Sequence, residues 1–350
     1  MVPSVPMTLA RAALAALACT LVVAGLHARI NLGWGTAPAQ AGPPPLEIGF
    51  LPVTCHLTCP VNHWIKENLE GNGGFVPRKF SGWPELKEAF ISGSTQASFL
   101  LAPMAMVLAK QGVPLKIVYL GHRDGTALMV HKDSDIRSIA DLRGKVIAIP
   151  NRFSNQRLII SKALQAAGVA ESEVTIKEMP PPDMPAALSV KAVDLICSGE
   201  PFMGQAELDG YGRVLHQAKE LWPGFISCVL VASQKLIDEE PERLQAIVDG
   251  IARSGKWLEA GMEHRMAGAD AVAKHYYNQD PRLLRFVLSK PPDRVTYDRL
   301  MLAKPDFEEI QALARRIGIL EGPLAFEDYA DIRFSERTHG ATAWAWSPPK

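Results

Sequence analysis

Two cysteines and a histidine stand close together near position 55 of this 350-residue chain. Cys55, His56 and Cys59 form a C-x-x-x-C segment in which the histidine follows the first thiol. Thiolate and imidazole groups suit soft metal ions, so these three residues are candidate metal ligands or contacts for a thiophilic group. Three residues separate Cys55 from Cys59, whereas two residues commonly separate the paired cysteines of zinc sites. A local disulfide, or two inert buried thiols, are alternatives that the sequence leaves open.

A second candidate site is the segment 151–155, which precedes a helical pattern. Ser154 is a favoured helix N-cap residue, and apolar side chains follow it at helical spacing. The N–H groups and the dipole at the start of a helix favour an anion or a ligand oxygen. Ser154 and Asn155 are therefore candidate ligand contacts, and a plain helix cap is the alternative.

A third candidate is Glu200, which follows a predicted strand and precedes Pro201. Its carboxylate could bind a cation, accept hydrogen bonds from ligand N–H groups, or only cap the next helix. Phe202 and Met203 would form an apolar wall of the site or belong to the core. Sulfur and imidazole side chains from elsewhere in the chain fall in the same predicted region. The candidate ligand-binding residues are Thr54, Cys55, His56, Cys59, Pro103, Met104, His122, Ser154, Asn155, Glu200, Phe202, Met203 and Cys228.

Charge balance and missing motifs exclude several classes of function. Lys and Arg number 37 and Asp and Glu number 37, which argues against a nucleic-acid partner. The sequence contains no dinucleotide-binding, P-loop, nucleophile-elbow or H-E-x-x-H motif. Catalytic residues need only be close in space, so the absence of motifs lowers the expectation of catalysis without excluding it. We expect a protein that is not an enzyme and needs no cofactor.

Short apolar runs alternate with helical patterns along most of the chain. This alternation predicts an α/β fold with mixed, mostly parallel sheets and helices on both faces. In such folds ligands bind beyond the carboxyl ends of the strands, and four predicted loops at such ends carry most of the candidates: 54–59, 103–106, 151–155 and 199–203. The predicted strands cover 46–51, 97–101, 115–120, 126–131, 145–149, 174–178, 193–197 and 225–232.

The first 41 residues have the pattern of a signal peptide. Arg11 precedes an uncharged, Ala- and Leu-rich run at 12–26, which is short of the roughly 20 residues of a membrane-spanning helix. The small-x-small sequence at 39–41 is typical of a cleavage site. We therefore expect export to the periplasm with removal of 1–41, and an uncleaved membrane anchor is the alternative.

Several segments together resemble a known family. These segments are 48–52 (IGFLP), 101–104 (LAPM), 110–116 (KQGVPLK), 141–150 (DLRGKVIAIP) and 198–206 (SGEPFMGQA). In order and spacing they resemble the periplasmic solute-binding proteins of ABC transporters, in the nitrate/sulfonate/taurine group. The resemblance covers about 46–334 of the chain.

This resemblance implies a two-lobed, type II periplasmic binding protein fold. Lobe 1 would comprise 44–132 and 234–334, lobe 2 would comprise 133–233, and 335–350 would form a C-terminal tail. The chain would cross between the lobes near 131–135 and 225–233, and the lobes would close on a ligand by a hinge motion.

The resemblance also implies a function without catalysis. The chain would be a monomer that captures a small anion, such as nitrate, a sulfonate or bicarbonate, between the lobes. It would deliver this ligand to a membrane permease with its ATPase. The cysteine segment departs from the anion-binding relatives, so a metal, a thiophilic ligand or a pyrimidine stays an alternative. A further alternative is an enzyme similar to the pyrimidine synthase, which would use Cys55, His56 and Cys59.

Overall fold

The computed structural model describes residues 7–31 and 43–347, and the chain divides into two units, Met1–Pro44 and Pro45–Lys350. The first unit contains helix α1 (Met7–Asn31). No helix in the described ranges is both long enough and apolar enough to cross a bilayer. The expected cleavage sequence at 39–41 lies outside the described residues.

The second unit is built on two mixed β-sheets, which confirms the predicted α/β class. The first sheet has the strand order β11-β4-β10-β3-β1-β2, and the second has the order β7-β6-β8-β5-β9. The strands are β1 (Glu47–Phe50), β2 (Val76–Lys79), β3 (Ala97–Leu100), β4 (Leu115–Asp124), β5 (Thr126–His131), β6 (Val146–Ile149), β7 (Thr175–Glu178), β8 (Leu195–Gly199), β9 (Gly212–Gln217), β10 (Ile226–Ser233) and β11 (Val295–Thr296).

Helices connect the strands and cover both sheets. They are α2 (Thr58–Glu70), α3 (Trp83–Ile91), α4 (Ala102–Lys110), α5 (Asn155–Ala166), α6 (Met184–Ser189), α7 (Phe202–Leu208), α8 (Ala218–Leu221), α9 (Gln234–Glu239), α10 (Pro241–Glu259), α11 (Met262–Val272), α12 (Pro281–Val287), α13 (Lys304–Arg316), α14 (Phe326–Tyr329) and α15 (Ile332–Arg337).

Parallel and antiparallel pairings occur in both sheets. β1 pairs with β2 and β3 in parallel, and β6 pairs with β7 and β8 in parallel. β5 lies antiparallel to β8 and β9, and β10 lies antiparallel to β3 and β4. Thr126–His131 therefore belongs to the second sheet and Ile226–Ser233 to the first, on the opposite side of the lobe boundaries expected from the resemblance. Those boundaries stay a prediction.

The described part of the C-terminal segment packs on α10. The indole N–H of Trp257 donates to the carbonyl oxygen of Trp346 at 2.8 Å, and the guanidinium of Arg253 lies 3.7 Å from the centre of a Trp344 ring. The sequence has no periodicity here, because side chains that strap an extended chain to a helix follow no fixed spacing.

Candidate functional site

The loop that follows β1 is held from three sides. It contains a 3₁₀ turn, Thr54–His56, which leads into α2. The hydroxyl of Tyr277 donates to the Val53 carbonyl at 2.7 Å, and the hydroxyl of Tyr297 donates to the Thr54 carbonyl at 3.0 Å. β4 passes directly beneath, where a Cβ on Gly121 would lie 2.2 Å from the carbonyl oxygen of Cys55. These contacts fix the loop that carries the first candidate residues.

This loop places one thiol against a thiol of β10. The sulfur atoms of Cys55 and Cys228 are 2.8 Å apart, and both side chains are buried. Cys59 lies in α2, and Cys197 lies in β8. All four residues are free thiols, so the local disulfide that the spacing of Cys55 and Cys59 allows is not formed.

The two neighbouring thiols differ in their affinity for a proton. Burial acts to raise the pKa of Cys55, but the hydrogen bond from Cys228 and the adjacent His56 outweigh it and hold this pKa well below its usual value. Burial and the Cys55 sulfur raise the pKa of Cys228 well above its usual value. Of the two thiols, Cys55 therefore loses its proton more readily.

The imidazole of His56 has a defined tautomer. Its Nδ1 accepts a hydrogen bond from the backbone N–H of Leu51 at 2.7 Å, so the neutral ring carries its proton on Nε2. Trp83 and Phe99 pack against the ring, which is fully buried. Nε2 has no hydrogen-bond partner among the described residues. This N–H group can interact with the nearby Cys55 sulfur, but with no closer acceptor in the described ranges it stays available to a ligand.

A metal ion fits this group of side chains poorly. Cys55, His56 and Cys228 each bring one candidate ligand atom within 4.8 Å of the others. A neutral imidazole binds a metal through the nitrogen that lacks a proton, and in His56 that nitrogen is Nδ1, already bonded to Leu51. Cys59, the third expected metal ligand, is not in this group, and burial raises its pKa.

His122 adds a second imidazole on β4, where it pairs with Cys228 across the strands. Its Nε2 lies 2.9 Å from the hydroxyl of Thr54. Burial lowers the pKa of His122 to about 4, although the nearby Cys55 raises it, so the ring is neutral at pH 7. Nδ1 of this ring has no hydrogen-bond partner in the described ranges.

The start of α5 contributes from the second sheet. The Ser154 hydroxyl accepts the N–H of Arg157 at 3.0 Å, which confirms the predicted N-cap. The side-chain amide of Asn155 donates to the carbonyl oxygen of Ile226 in β10. The amide of Gln156 donates to the hydroxyl of Thr126 at 3.0 Å. Oδ1 of Asn155 and Oε1 of Gln156 are buried without a partner in the described part of the chain.

The carboxylate of Glu200 is fully used by the protein. Arg294 donates to its Oε1 at 2.8 Å, and the N–H of Gly204 donates to its Oε2 at 2.7 Å. Burial raises the pKa of Glu200, and the guanidinium of Arg294 works against that rise. Arg294 also donates to Glu207 at 2.7 Å. Glu200 therefore holds the Gly204 backbone and the Arg294 side chain in place, and neither of its carboxylate oxygens is free for a ligand.

A closed sequence of contacts joins these residues at the boundary between the two sheets. The backbone N–H of Thr54 donates to the Glu200 carbonyl at 2.8 Å, and Glu200 follows β8, whose last residue Gly199 pairs with Thr126. Gln156 contacts Thr126, and its neighbour Asn155 contacts Ile226, two residues before Cys228. The sulfur of Cys228 contacts the sulfur of Cys55, which follows Thr54, and this contact closes the sequence. We call this set the junction site: Thr54, Cys55, His56, His122, Thr126, Asn155, Gln156, Glu200, Ile226 and Cys228.

Comparisons with known proteins place this arrangement in a family. The model of the NMT1-like family matches residues 39–274, which is more than half of the chain. The chain belongs to this family. A nitrate/nitrite binding protein, NrtA of Nostoc sp., is 25% identical over 202 residues, which cover 52% of this chain and 46% of the relative. The chain thus spans about half the length of that relative.

Solved structures show the same fold. A zinc-bound ligand-binding component of an ABC-type import system from Staphylococcus aureus has a TM-score of 0.75 at 24% identity and covers 84% of this chain and 98% of its own. The nitrate-binding protein NrtA of Synechocystis PCC 6803 has a TM-score of 0.77 at 15% identity, covering 85% and 88%. The desulfurization enzyme DSZB, with a TM-score of 0.61 at 16% identity and a coverage of 85% and 99%, shows that this fold also supports catalysis.

Other candidate residues of this family member lie outside the junction site. Pro103 and Met104 belong to the first turn of α4, and Phe202 and Met203 begin α7, all of them buried. Thr126, Gln156 and Ile226 of the junction site, and the neighbouring Arg294, were not among the predicted residues. Gln156 adjoins the predicted Asn155, so the helix start could have indicated it. Arg294 carries no local signal, because its partner Glu200 is 94 residues away.

Proposed function

We propose that this NMT1-like chain is the substrate-binding component of an ABC import system and captures a small polar anion at the junction site. The observation that carries the proposal is a donor and two acceptors, buried and unpartnered, at the boundary between two sheets: His56 Nε2–H, Asn155 Oδ1 and Gln156 Oε1. Buried polar atoms ordinarily have partners, and a bound solute supplies them here. The nitrate-binding and import-system proteins that share the fold support this reading.

The start of α5 gives the site its preference for an anion. The first N–H groups of a helix have no acceptors within the helix, and the helix dipole places positive potential there. The N–H donor of His56 adds to this preference from the first sheet. The oxygen Oδ1 of Asn155 requires a donor on the ligand, because its amide nitrogen is committed to Ile226. A ligand with both acceptors and a donor, such as bicarbonate or taurine, satisfies more of these atoms than nitrate does.

Binding requires the two sheets to separate and close again. Thr54 and Asn155 are 0% and 1% exposed, so a solute reaches them only when the contacts across the junction open. Two lobes that close on a ligand, with the ligand stabilising the closed state, perform this step. The lobes would be built around the two sheets and would act as a monomer that hands the solute to a permease and its ATPase. Residues 1–41 would direct export to the periplasm.

Titration calorimetry on the full chain tests this function, with bicarbonate, taurine, methanesulfonate and nitrate as ligands. We expect bicarbonate or taurine to bind more tightly than nitrate. Asn155→Asp should weaken anion binding at least about tenfold, because it places a carboxylate at the anion. Asn68→Asp makes the same charge change at an exposed position of α2 and should leave the affinity unchanged. Absence of binding by all four anions, or unchanged affinity in Asn155→Asp, would contradict the proposal.

A further inference from the structure

The pair of thiols at the junction site has no role in the binding step described above. We propose that Cys55 and Cys228 form a reversible thiol–disulfide pair, and that oxidation of this pair strengthens anion binding at the junction site. The pair itself stands independently of the proposed function, whereas its control of binding rests on that function.

The distance between the sulfur atoms favours a direct bond between them. They lie 2.8 Å apart, and a disulfide requires about 2.04 Å, so they need to approach by less than about 1 Å. Two thiolates on one tetrahedral zinc ion, each about 2.3 Å from the metal, would have to move apart instead. The tautomer of His56 also withholds the third ligand that a metal would need. The geometry therefore favours oxidation of the pair over capture of a metal.

The two thiols differ in acidity, which suits them to the two steps of thiol–disulfide exchange. The two sulfur atoms are in contact, and both Cys228 and the neighbouring His56 stabilise negative charge on the Cys55 sulfur and so lower its pKa. The thiolate is the attacking species in exchange, and a second thiol within reach resolves the mixed disulfide. Cys55 thus serves as the nucleophile and Cys228 as the resolving thiol.

The oxidant is a disulfide, for which oxidised glutathione is a suitable probe. The Cys55 thiolate attacks one of its sulfur atoms and releases one glutathione thiolate. The Cys228 sulfur then attacks Cys55 in the mixed disulfide, and its proton leaves with the second glutathione. The protein pair loses two electrons and one proton, and the oxidant is reduced to one glutathione thiolate and one glutathione thiol.

The redox state changes the charge that a ligand meets. In the reduced form the Cys55 sulfur, the more acidic of the two, lies within 4.8 Å of a ring nitrogen of His56, whose N–H is the donor available to an anion, and it is negatively charged once its proton is lost. A negative sulfur at this distance repels an anion, and it also competes for the N–H donor. In the disulfide the sulfur is neutral, and both effects disappear. Oxidation should therefore raise the affinity for an anion.

Burial limits when the pair can react. Cys55 is 2% exposed and Cys228 is 1% exposed, and the loop of Cys55 is tied to Glu200 of the second sheet through Thr54. An oxidant reaches the sulfur atoms only when the junction opens. A bound anion that holds the junction closed should therefore slow both oxidation and reduction of the pair.

Mass spectrometry of the full chain tests the pair. The chain is reduced with dithiothreitol, freed of the reductant and treated with oxidised glutathione. We expect the loss of two hydrogen masses and a cross-linked peptide pair that contains Cys55 and Cys228. Cys228→Ser should instead retain glutathione on Cys55, and the matched control Cys59→Ser should form the same cross-link as the natural chain. A cross-link to Cys59 or Cys197, or stoichiometric zinc binding that protects the reduced thiols, would overturn the proposal.

Calorimetry of the reduced and oxidised chain then tests control of binding, with bicarbonate and taurine as probes. We expect at least about tenfold tighter binding to the oxidised form, as the electrostatic argument requires. The double variant Cys55→Ser/Cys228→Ser removes the thiolate and should bind as the oxidised form does, in either redox buffer. Equal affinity of both redox forms would overturn the control of binding. If the cross-link forms but neither form binds an anion, the proposed function fails and the thiol pair alone stands.

Discussion

The guanidinium of Arg294 is 2% exposed and donates to the carboxylates of Glu200 and Glu207 and to the carbonyl of Lys290. The backbone carbonyl of Glu200 in turn accepts a hydrogen bond from the N–H of Thr54, in the loop that follows β1 of the first sheet. The arginine therefore acts on the junction site through Glu200. Removing one partner of a buried ion pair leaves the other charge without compensation, which costs far more than the pair contributes.

Arg294→Met should lower the free energy of unfolding by about 3–5 kcal/mol, because it leaves the buried Glu200 carboxylate with only the Gly204 N–H as a donor. Urea unfolding of the full chain measures the loss. The double variant Arg294→Met/Glu200→Gln should recover part of it, since the buried charge is gone. Arg282→Met, at an exposed arginine paired with Asp280, is the matched control and should leave the unfolding midpoint unchanged.

The prediction about Arg294 would be wrong if the single variant lost less than about 1 kcal/mol, which is the range of surface pairs. It would also be wrong if the double variant were no more stable than the single one.

The sequence predicts the chemistry of individual residues but not which of them pair. Cys55 and His56 were identified by their spacing, and Asn155 by its place at a helix start. The contact of Cys55 with Cys228, rather than with Cys59, joins positions 173 residues apart and follows from how β10 pairs with β4. No local pattern encodes such a contact.

At the scale of elements, the loop after β1 depends on how closely β4 approaches it. A Cβ on Gly121 would meet the Cys55 carbonyl oxygen at 2.2 Å, and the obstacle is backbone rather than a flexible side chain. A methyl group there forces the 3₁₀ turn Thr54–His56 away from the strand. The turn carries Cys55 and His56 of the junction site.

Gly121→Ala should destabilise the chain by about 1–3 kcal/mol, the range for overpacking a filled site, and should weaken anion binding. Thermal unfolding and calorimetry measure the two effects. Gly82→Ala is the control, because its nearest neighbour would be Pro84 at an ordinary 3.6 Å. Unchanged stability and affinity in Gly121→Ala would show that the loop is not held by this approach.

Elements with a clear apolar pattern were predicted, and the others were not. α5 has a cap at Ser154 and a regular apolar face, and the structure has it at Asn155–Ala166. β2 (Val76–Lys79) was missed because it is a mostly exposed edge strand containing a proline and two charges, which blunts the strand signal. β9, at the edge of the second sheet, is half-buried throughout and shows no alternation.

At the scale of the whole molecule, the family resemblance supplied what local patterns could not. Alternating strands and helices predicted an α/β fold, but the division into two sheets rests on which strands pair over long separations. β5 and β10 each join a sheet by antiparallel pairing, and no local pattern in the sequence shows which sheet either strand joins. At the junction between these sheets His56, His122, Asn155 and Gln156 each have a buried polar atom without a partner among the described residues.

A crystal structure of the full chain with bicarbonate or taurine, whichever binds more tightly, tests the central claim most directly. We expect the ligand between the two sheets, with an oxygen at hydrogen-bond distance from His56 Nε2 and a second contact to Asn155. A ligand found instead in the surface cavity of about 580 Å³ lined by Asp270, Asn278 and Arg282, with the junction unchanged, would contradict it.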